Sequence, residues 1–330
     1  MTPCIRRREF LAALGGAAAW PVTARAQEAM PVVGILGSES PDLFAARLRA
    51  FREGLGETGY AEGRNVAFEF RWAEGRNQRF PALAAELVSR KVTLIAAFAG
   101  NPPALAAKAA TSTIPILFVT AADPVAGGLV ASLSRPGGNI TGVTALAVEL
   151  GAKQLEVLHE LVPTASAIAL LVNPTGAANA DTLSRDLQAA ARIRGVGLHV
   201  LHASTESDLD TVFATLSRLQ AGALVIGSDP FFNSRPQQLA ALAARHAVPT
   251  IYPFRDYVVA GGLMSYGNSL ADSYHLLGTY ASRILKGDKP ADLPVQQATK
   301  IELIINLKTA KALGITFPLT LRVRADEVIE

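Results

Sequence analysis

The sequence alternates between two kinds of apolar pattern from residue 31 to about residue 285, and this alternation constrains the fold more than any other feature. One kind is a short, continuous run rich in Val, Ile, Leu and Ala. Such runs are typical of strands buried on both faces of a parallel sheet. The predicted strands are 31–37, 65–70, 92–100, 114–120, 140–146, 167–173, 197–202, 223–229, 249–254 and 262–267.

Between these runs, apolar residues recur every three or four positions, as in amphipathic helices. The predicted helix faces are Phe44/Leu48/Phe51/Leu55, Phe80/Leu83/Leu87/Val88, Leu209/Val212/Phe213/Leu216 and Leu270/Tyr274/Leu277/Ile284. Alternating strands and helices predict an α/β protein with parallel sheets and right-handed crossovers. The pattern runs twice, over 31–146 and again over 167–254, with a helix predicted at 148–162 between the two sets. We therefore expect two lobes.

The first 26 residues have the composition of an export signal. Arg6, Arg7 and Arg8 precede a weakly apolar run at 10–20, and Ala24-Arg25-Ala26 has the small-residue pattern of a cleavage site. The apolar run is about half the roughly 20 residues needed to span a bilayer, so a permanent anchor is not expected. Arg7-Arg8-Glu9-Phe10-Leu11 resembles a twin-arginine signal, although the general export route stays open. We expect the remainder of the chain in the periplasm.

Removing this leader changes the charge balance. The chain has 31 Lys+Arg and 28 Asp+Glu, and residues 1–26 contain four of the bases and one of the acids. The remainder therefore has 27 of each, which gives no reason to expect a nucleic-acid or anionic-membrane partner. The single cysteine, Cys4, also lies in the leader, so we expect no disulfide, thiol nucleophile or thiolate metal site in the remainder.

Motifs of common catalytic sites are absent from the sequence. There is no G-x-S-x-G nucleophile turn, no P-loop, no H-E-x-x-H and no G-x-G-x-x-G after the first strand. His199 and His202 are three residues apart in a predicted strand, so their side chains are expected on opposite faces. The sequence thus predicts neither a catalytic residue nor a metal or cofactor.

Glycine and polar residues follow several predicted strands at their carboxyl ends. They are Gly37–Ser40, Gly100–Asn101, Thr120–Pro124, Asn173–Gly176 and Gly227–Pro230. Open parallel sheets bind ligands at these ends, close to helix N-termini that favour anionic groups. Each residue taken alone could instead cap a helix. We expect the clusters to face one crevice between the two lobes.

Several segments resemble the tryptophan/tyrosine-binding-like family of ABC-transporter substrate-binding proteins. They are FREGLGETGYAEGRNVAFEFRWAEG (51–75), AAKAATSTIPILFVTAADPVAGGLVASLSRPGGNITGV (106–143), LVNPTGAANA (171–180), GALVIGSDPFF (222–232), GGLMSYG (261–267) and RILKGDKPADLPV (283–295). The resemblance implies a type I periplasmic-binding-protein fold, with two Rossmann-like lobes joined by three crossings. It places lobe one at 30–146 plus 262–288 and lobe two at 147–261 plus 289–330, with a strand and helix at 300–315 completing lobe two.

The resemblance also implies nine ligand-binding residues: Ser38, Gly100, Asn101, Thr120, Asp123, Asn173, Asn179, Asp229 and Tyr266. Asp123 or Asp229 is expected to pair with a ligand ammonium, and the backbone N–H groups of Gly100 and Asn101 with a carboxylate. An alternative is that Phe231, Phe232 and Tyr252 supply an apolar wall.

Proteins of this family capture a small molecule between two closing lobes and pass it, chemically unchanged, to an ABC permease with a cytoplasmic ATPase. The resemblance therefore implies a monomer that touches only the membrane complex and needs no cofactor, with an amino acid or aromatic compound as ligand. Two alternatives stay open, an exported sensor subunit for a membrane kinase and an exported enzyme on the same fold. A cytoplasmic repressor of this fold would begin with a helix-turn-helix instead of a leader.

Overall fold

All ten predicted strands are present in the computed structural model, which describes residues 30–38, 41–98, 100–145 and 150–330. The predicted leader, Glu39 and Ser40 lie outside the described residues. Three strands follow the predicted ten, of which β12 was expected from the resemblance. The strands are β1 Val32–Gly37, β2 Ala67–Trp72, β3 Leu94–Phe98, β4 Ile116–Thr120, β5 Ile140–Thr144, β6 Ala167–Val172, β7 Gly197–His202, β8 Ala223–Ile226, β9 Thr250–Tyr252, β10 Met264–Asn268, β11 Gln296–Gln297, β12 Ile301–Asn306 and β13 Glu327–Ile329.

Helices separate most of the strands, and the predicted apolar stripes form their buried faces. They are α1 Pro41–Gly56, α2 Phe80–Ser89, α3 Asn101–Ala110, α4 Gly151–Leu161, α5 Ala177–Arg194, α6 Glu206–Arg218, α7 Pro230–Asn233, α8 Pro236–Arg245, α9 Arg255–Val259, α10 Leu270–Leu285, α11 Leu307–Ala312 and α12 Leu319–Arg324. In the described part of the chain, no helix combines the length and the apolar character needed to cross a membrane.

The strands form two sheets, and the first five strands of each sheet have the same order. The first sheet has the order β11-β5-β4-β3-β1-β2 and the second β13-β12-β10-β9-β8-β6-β7. Neighbouring strands are parallel throughout, except that β10 and β12 are antiparallel. In each sheet the first strand in the chain, β1 or β6, lies between the second and the third. This order is the doubly wound one, and its strand order reverses beside β1 and beside β6.

The chain passes between the two sheets three times, namely between β5 and β6, between β10 and β11, and between β11 and β12. The expected boundaries at residues 262 and 289 differ from this course. β10 bonds to β9 and β12 in the second sheet, and β11 pairs with β5 in the first. These boundaries were implied by the resemblance, and the apolar pattern that identifies a strand does not report which sheet the strand joins. Below, the first lobe is the first sheet with α1–α3 and α10, and the second lobe is the second sheet with the other helices.

Two of the crossings are bonded to each other. The backbone N–H of Ser269 donates to the carbonyl of Lys300 at 2.9 Å. The side-chain amide of Asn268, which is 5% exposed, donates to the carbonyl of Ala298, also at 2.9 Å. The chain segments at 268–269 and 298–300 therefore form a paired connection between the lobes.

In the first lobe, α1 and α10 pack with their backbones in close contact. A Cβ atom on Gly54 would overlap the carbonyl of His275, and one on Gly278 would overlap the carbonyl of Phe51. This approach brings Tyr274 of α10 onto the ring of Phe98 in β3, with centroids 4.7 Å apart. The two glycines thus let α10, which returns from the second lobe, complete the first-lobe core.

The substitution Gly54→Ala is expected to lower the free energy of unfolding by about 1–3 kcal/mol, because the added methyl group forces two backbones apart. Gly56→Ala in the same helix is the matched control, since a Cβ there meets nothing within 4 Å. The control is expected to be neutral or slightly stabilising. Chemical denaturation of both variants measures the difference, and equal free energies of unfolding would contradict the close packing.

Candidate functional site

A cleft of about 510 Å³ lies between the lobes, at the carboxyl ends of the strands. From the first lobe, Ser38 follows β1, and Gly100 and Asn101 follow β3. From the second lobe, Asn173 follows β6 and Asp229 follows β8. These are the strands that flank the reversal of strand order in each sheet, the place where doubly wound folds bind ligands. The same topological feature of both lobes therefore opens onto one cleft.

Seven of the nine residues expected at the site line this cleft. They are Ser38, Gly100, Asn101, Thr120, Asn173, Asn179 and Asp229. Asp123 and Tyr266 are not among the lining residues.

The first-lobe wall presents hydroxyl and amide groups. The Thr120 hydroxyl donates to Asn101 Oδ1 at 2.7 Å and accepts the N–H of Ala122 at 3.1 Å, which fixes the Asn101 side chain. Ser38 is 5% exposed, and its Oγ has no hydrogen-bond partner among the described residues. Buried polar groups are almost always hydrogen-bonded, so this hydroxyl is available to a ligand.

The backbone N–H of Gly100 was expected to bind a ligand carboxylate, and the structure gives it a different partner. Its φ of 101° lies in the region that favours glycine, so the sequence requires glycine at this turn. Its N–H donates to the carbonyl of Val119 at 3.0 Å, however, and therefore does not serve a ligand carboxylate. Of the two expected backbone donors, this leaves the N–H of Asn101, the first residue of α3.

The second-lobe wall carries a charge. Asp229 caps α7, and its Oδ1 accepts the N–H of Phe231 at 2.8 Å and the Asn173 amide at 2.9 Å. Asn173 is itself oriented by Thr175, whose N–H and hydroxyl donate to Asn173 Oδ1 at 3.0 and 2.8 Å. Burial raises the pKa of the Asp229 carboxyl, and the hydrogen bonds from Asn173 and Phe231 only partly offset this effect.

Asp229 is the one carboxylate among the described residues that line the cleft. Its charged form is destabilised by the loss of water, so a cationic group placed beside it would recover electrostatic energy. The second wall can therefore bind a cation, and the first wall offers hydrogen bonds to a polar or anionic group.

The two expected residues outside the lining have other contacts. Asp123 is exposed, and its Oδ1 accepts the N–H groups of Val125 and Ala126 at 2.8 and 3.2 Å, so it caps a turn. Tyr266 lies in β10 opposite Leu303 and packs against the second-lobe core.

Of the three aromatic residues proposed as an alternative wall, Phe231 lines the cleft, whereas Phe232 and Tyr252 are fully buried and do not. The other aromatic lining residues, Phe254 and Tyr274, had no signal in the sequence that separated them from core residues. The cleft therefore has aromatic as well as polar lining.

Two arginines also line the cleft and were not predicted. Arg235 lies over the ring of Phe231, 4.2 Å from its centroid, and donates to the carbonyl of Phe231 at 3.1 Å. Arg47 lies on the buried face of α1 between Phe44 and Leu48. A charged residue inside an apolar stripe was the signal that could have identified Arg47.

The cleft has the size and the mixed polar and apolar lining of a small-molecule binding site. Within the described residues, no group of three or more His, Cys, Asp or Glu side chains is placed to hold a metal ion. Hydroxyls, amides, two guanidinium groups, one carboxylate and aromatic rings surround a volume within the usual range for small-molecule sites.

Known proteins share this sequence and fold. The chain matches the family described as ABC transporter substrate binding protein over residues 33–329. A tyrosine-binding protein of Clostridioides difficile (strain R20291) is 30% identical over 276 residues, which are 83% of this chain and 78% of that protein.

Three solved structures each cover 91% of this chain and 99% of their own. A conserved domain protein from Vibrio cholerae is 28% identical, with a TM-score of 0.82. An ABC domain from Streptococcus pneumoniae in complex with L-Trp is 26% identical, with a TM-score of 0.79. The ligand-free, open structure of a substrate-binding protein with adhesive properties from Clostridium difficile is also 26% identical, with a TM-score of 0.67.

More distant structures share the fold alone. A periplasmic binding protein/LacI transcriptional regulator from Alkaliphilus metalliredigens is 10% identical and has a TM-score of 0.58 over 82% of this chain and 96% of its own. The chain thus belongs to the ABC transporter substrate-binding protein family and has the α/β fold, with two mainly parallel sheets, of type I periplasmic binding proteins.

Proposed function

We propose that this protein is the solute-binding component of an ABC importer and that its ligand is an amino acid with an aromatic side chain. The protein would bind the ligand between its lobes and deliver it, chemically unchanged, to a permease driven by an ATPase. The observation that carries this proposal is the cleft itself, which one desolvated carboxylate lines together with neutral hydrogen-bonding groups, aromatic rings and two arginines.

Asp229 is the residue that we assign to the ligand ammonium. A cation beside it would offset the cost of burying the carboxylate, and Asn173 and Thr175 already hold the side chain in place. We assign the ligand carboxylate to the opposite wall. There the Ser38 hydroxyl has no partner among the described residues, and the N-terminus of α3 favours negative charge.

Aromatic residues of the cleft suit an aromatic side chain on the ligand. Phe231, Phe254 and Tyr274 line the cleft and supply apolar and ring surfaces against which an aromatic group can pack. Two relatives support this choice, since one is called a tyrosine-binding protein and another is described in complex with L-Trp.

We further infer that the lobes move relative to one another. At equal identity and coverage, the TM-score is 0.79 to the L-Trp complex and 0.67 to the ligand-free, open structure. This difference supports an arrangement of the lobes that is nearer to that of the ligand-bound relative. The paired segments at 268–269 and 298–300 are the natural hinge, because movement of the lobes must be absorbed where the chain crosses.

The predicted leader supports a periplasmic location. Export and removal of residues 1–26 would place the protein in the periplasm, where it meets a solute before the permease does. A closed pair of lobes presents one continuous shape to a membrane partner, which distinguishes the loaded from the empty protein.

The first prediction concerns ligand binding by the protein without residues 1–26. L-Tyrosine or L-tryptophan, at about 100 times its dissociation constant, should stabilise the protein by about 2.7 kcal/mol in a thermal-shift assay. Asp229→Asn should weaken binding about 10- to 100-fold, because a charged hydrogen bond is worth about 1.5–3 kcal/mol.

Asp123→Asn is the matched control. Asp123 also follows a strand, precedes a proline and accepts two backbone N–H groups, but it does not line the cleft. Equal binding by the two variants would contradict the role of Asp229. A wild-type protein that binds no amino acid would contradict the proposed ligand class.

The second prediction concerns the ligand-free protein and pH. Because the pKa of Asp229 is raised in the folded state, its charged form opposes folding at neutral pH, and protonation relieves this cost as the pH falls. Asn keeps an oxygen that can accept the N–H of Phe231 and remains a good helix cap. We therefore expect Asp229→Asn to raise the melting temperature at pH 7, and to raise it less below about pH 4, near the ordinary pKa of an aspartate. A melting temperature lowered equally at both pH values would contradict this account.

A further inference from the structure

An ion pair joins the two lobes beside the cleft. Arg47 of α1 donates from Nη2 to Oδ2 of Asp256 in α9, at 2.7 Å. We propose that Asp256, which does not itself line the cleft, is a positioning residue that raises ligand affinity by holding Arg47 and thereby the closed arrangement of the lobes. This inference rests on the proposed function.

Each partner is held firmly in its own lobe. The buried Phe44 and Phe51 fix α1 in the first-lobe core, and Arg47 lies 4.8 Å from the ring centroid of Phe44. In the second lobe, the buried Tyr257 of α9 stacks on Tyr252 with centroids 4.8 Å apart. Because neither helix can follow the other lobe, a rotation of the lobes would separate the two charges.

The surroundings of Asp256 connect it to the rest of the second lobe. The preceding residue, Arg255, forms two hydrogen bonds of 2.6 Å with Glu327 of β13. The hydroxyl of Tyr257 donates to Asn233 Oδ1 at 2.9 Å, and Asn233 lines the cleft. The carboxylate is therefore presented to Arg47 from a short helix that is anchored on both sides.

Because the Arg47 side chain is buried, the ion pair stabilises the closed arrangement of the lobes more than an open one. The Arg47 side chain is 7% exposed, whereas that of Asp256 is 35% exposed. Loss of the carboxylate would leave a buried guanidinium without this countercharge when the lobes are closed, whereas in an open arrangement water can solvate the guanidinium. Since the observed affinity scales with the fraction of protein that can close, removing Asp256 lowers affinity without removing a ligand contact.

The affinity test uses Asp256→Asn in the protein without residues 1–26, with L-tyrosine and L-tryptophan as probes in titration calorimetry. The dissociation constant should rise about 3- to 10-fold. In a background of Arg47→Gln, the same substitution should have no further effect, because the partner is already gone. Asp210→Asn is the matched control, since Asp210 pairs with Arg245 at 3.0 Å within the second lobe. An unchanged dissociation constant for Asp256→Asn, or additive effects in the double variant, would overturn the proposal.

A second test needs no ligand. The only cysteine of the chain is Cys4 of the leader, so the protein without residues 1–26 has no competing thiol. In a variant that combines Arg47→Cys with Asp256→Cys, a short bifunctional thiol reagent should crosslink the two lobes when they close. Each crosslink is permanent, so crosslinked protein accumulates even if closure is brief. The pair Asp210→Cys and Arg245→Cys, within one lobe, should react faster.

The two tests separate this proposal from the proposed function. If the wild-type protein binds neither L-tyrosine nor L-tryptophan, the proposed ligand class is wrong. The contact between the lobes is then tested by the crosslinking experiment alone. Crosslinking between the lobes then supports the contact, and its absence while the control pair reacts overturns it.

Discussion

The cleft depends on the parallel order of the strands, which places the carboxyl ends of neighbouring strands at the same edge of each sheet. In each lobe the first strand lies between the second and the third, so the connections leave it toward opposite faces and open a crevice at its carboxyl end. Ser38 stands at that point in the first lobe and Asn173 in the second. The two crevices face each other, so the site consists of two half-sites of the same topology but of different chemistry.

That difference in chemistry gives the site its polarity. The first wall offers the hydroxyl of Ser38 and an Asn101 side chain fixed by Thr120, whereas the second offers the carboxylate of Asp229. Burying this carboxylate raises its pKa and opposes folding at neutral pH, and a cationic ligand group, as proposed, would offset this cost. The ion pair between Arg47 and Asp256 joins the two lobes beside this cleft, and we propose that it couples occupation of the cleft to the position of the lobes.

The sequence contained enough information to predict the elements but not all of their partners. Apolar runs located ten strands, because the central strands are buried on both faces and therefore need uninterrupted apolar residues, whereas the edge strands β2 and β7 are only partly buried. Apolar periodicity does not report which sheet β10 or the two-residue β11 joins, because this depends on pairing with strands that are distant in the sequence. Asp123 and Asp229 both precede a proline after a strand, and only the folded chain shows that the first is exposed and the second lines the cleft. Arg47 was identifiable as a charge on an apolar face, but its partner, 209 positions away, was not.

The central claim is that one small molecule is held between the walls of both lobes and is not altered there. A crystal structure of the protein without residues 1–26, grown with L-tyrosine or L-tryptophan, tests this claim most directly. The account predicts an intact amino acid in the cleft, with its ammonium within hydrogen-bond distance of Asp229 and its other end against Ser38 and Asn101. A ligand bound outside the cleft, a ligand touching one lobe only, or a chemically altered product in the density would contradict it.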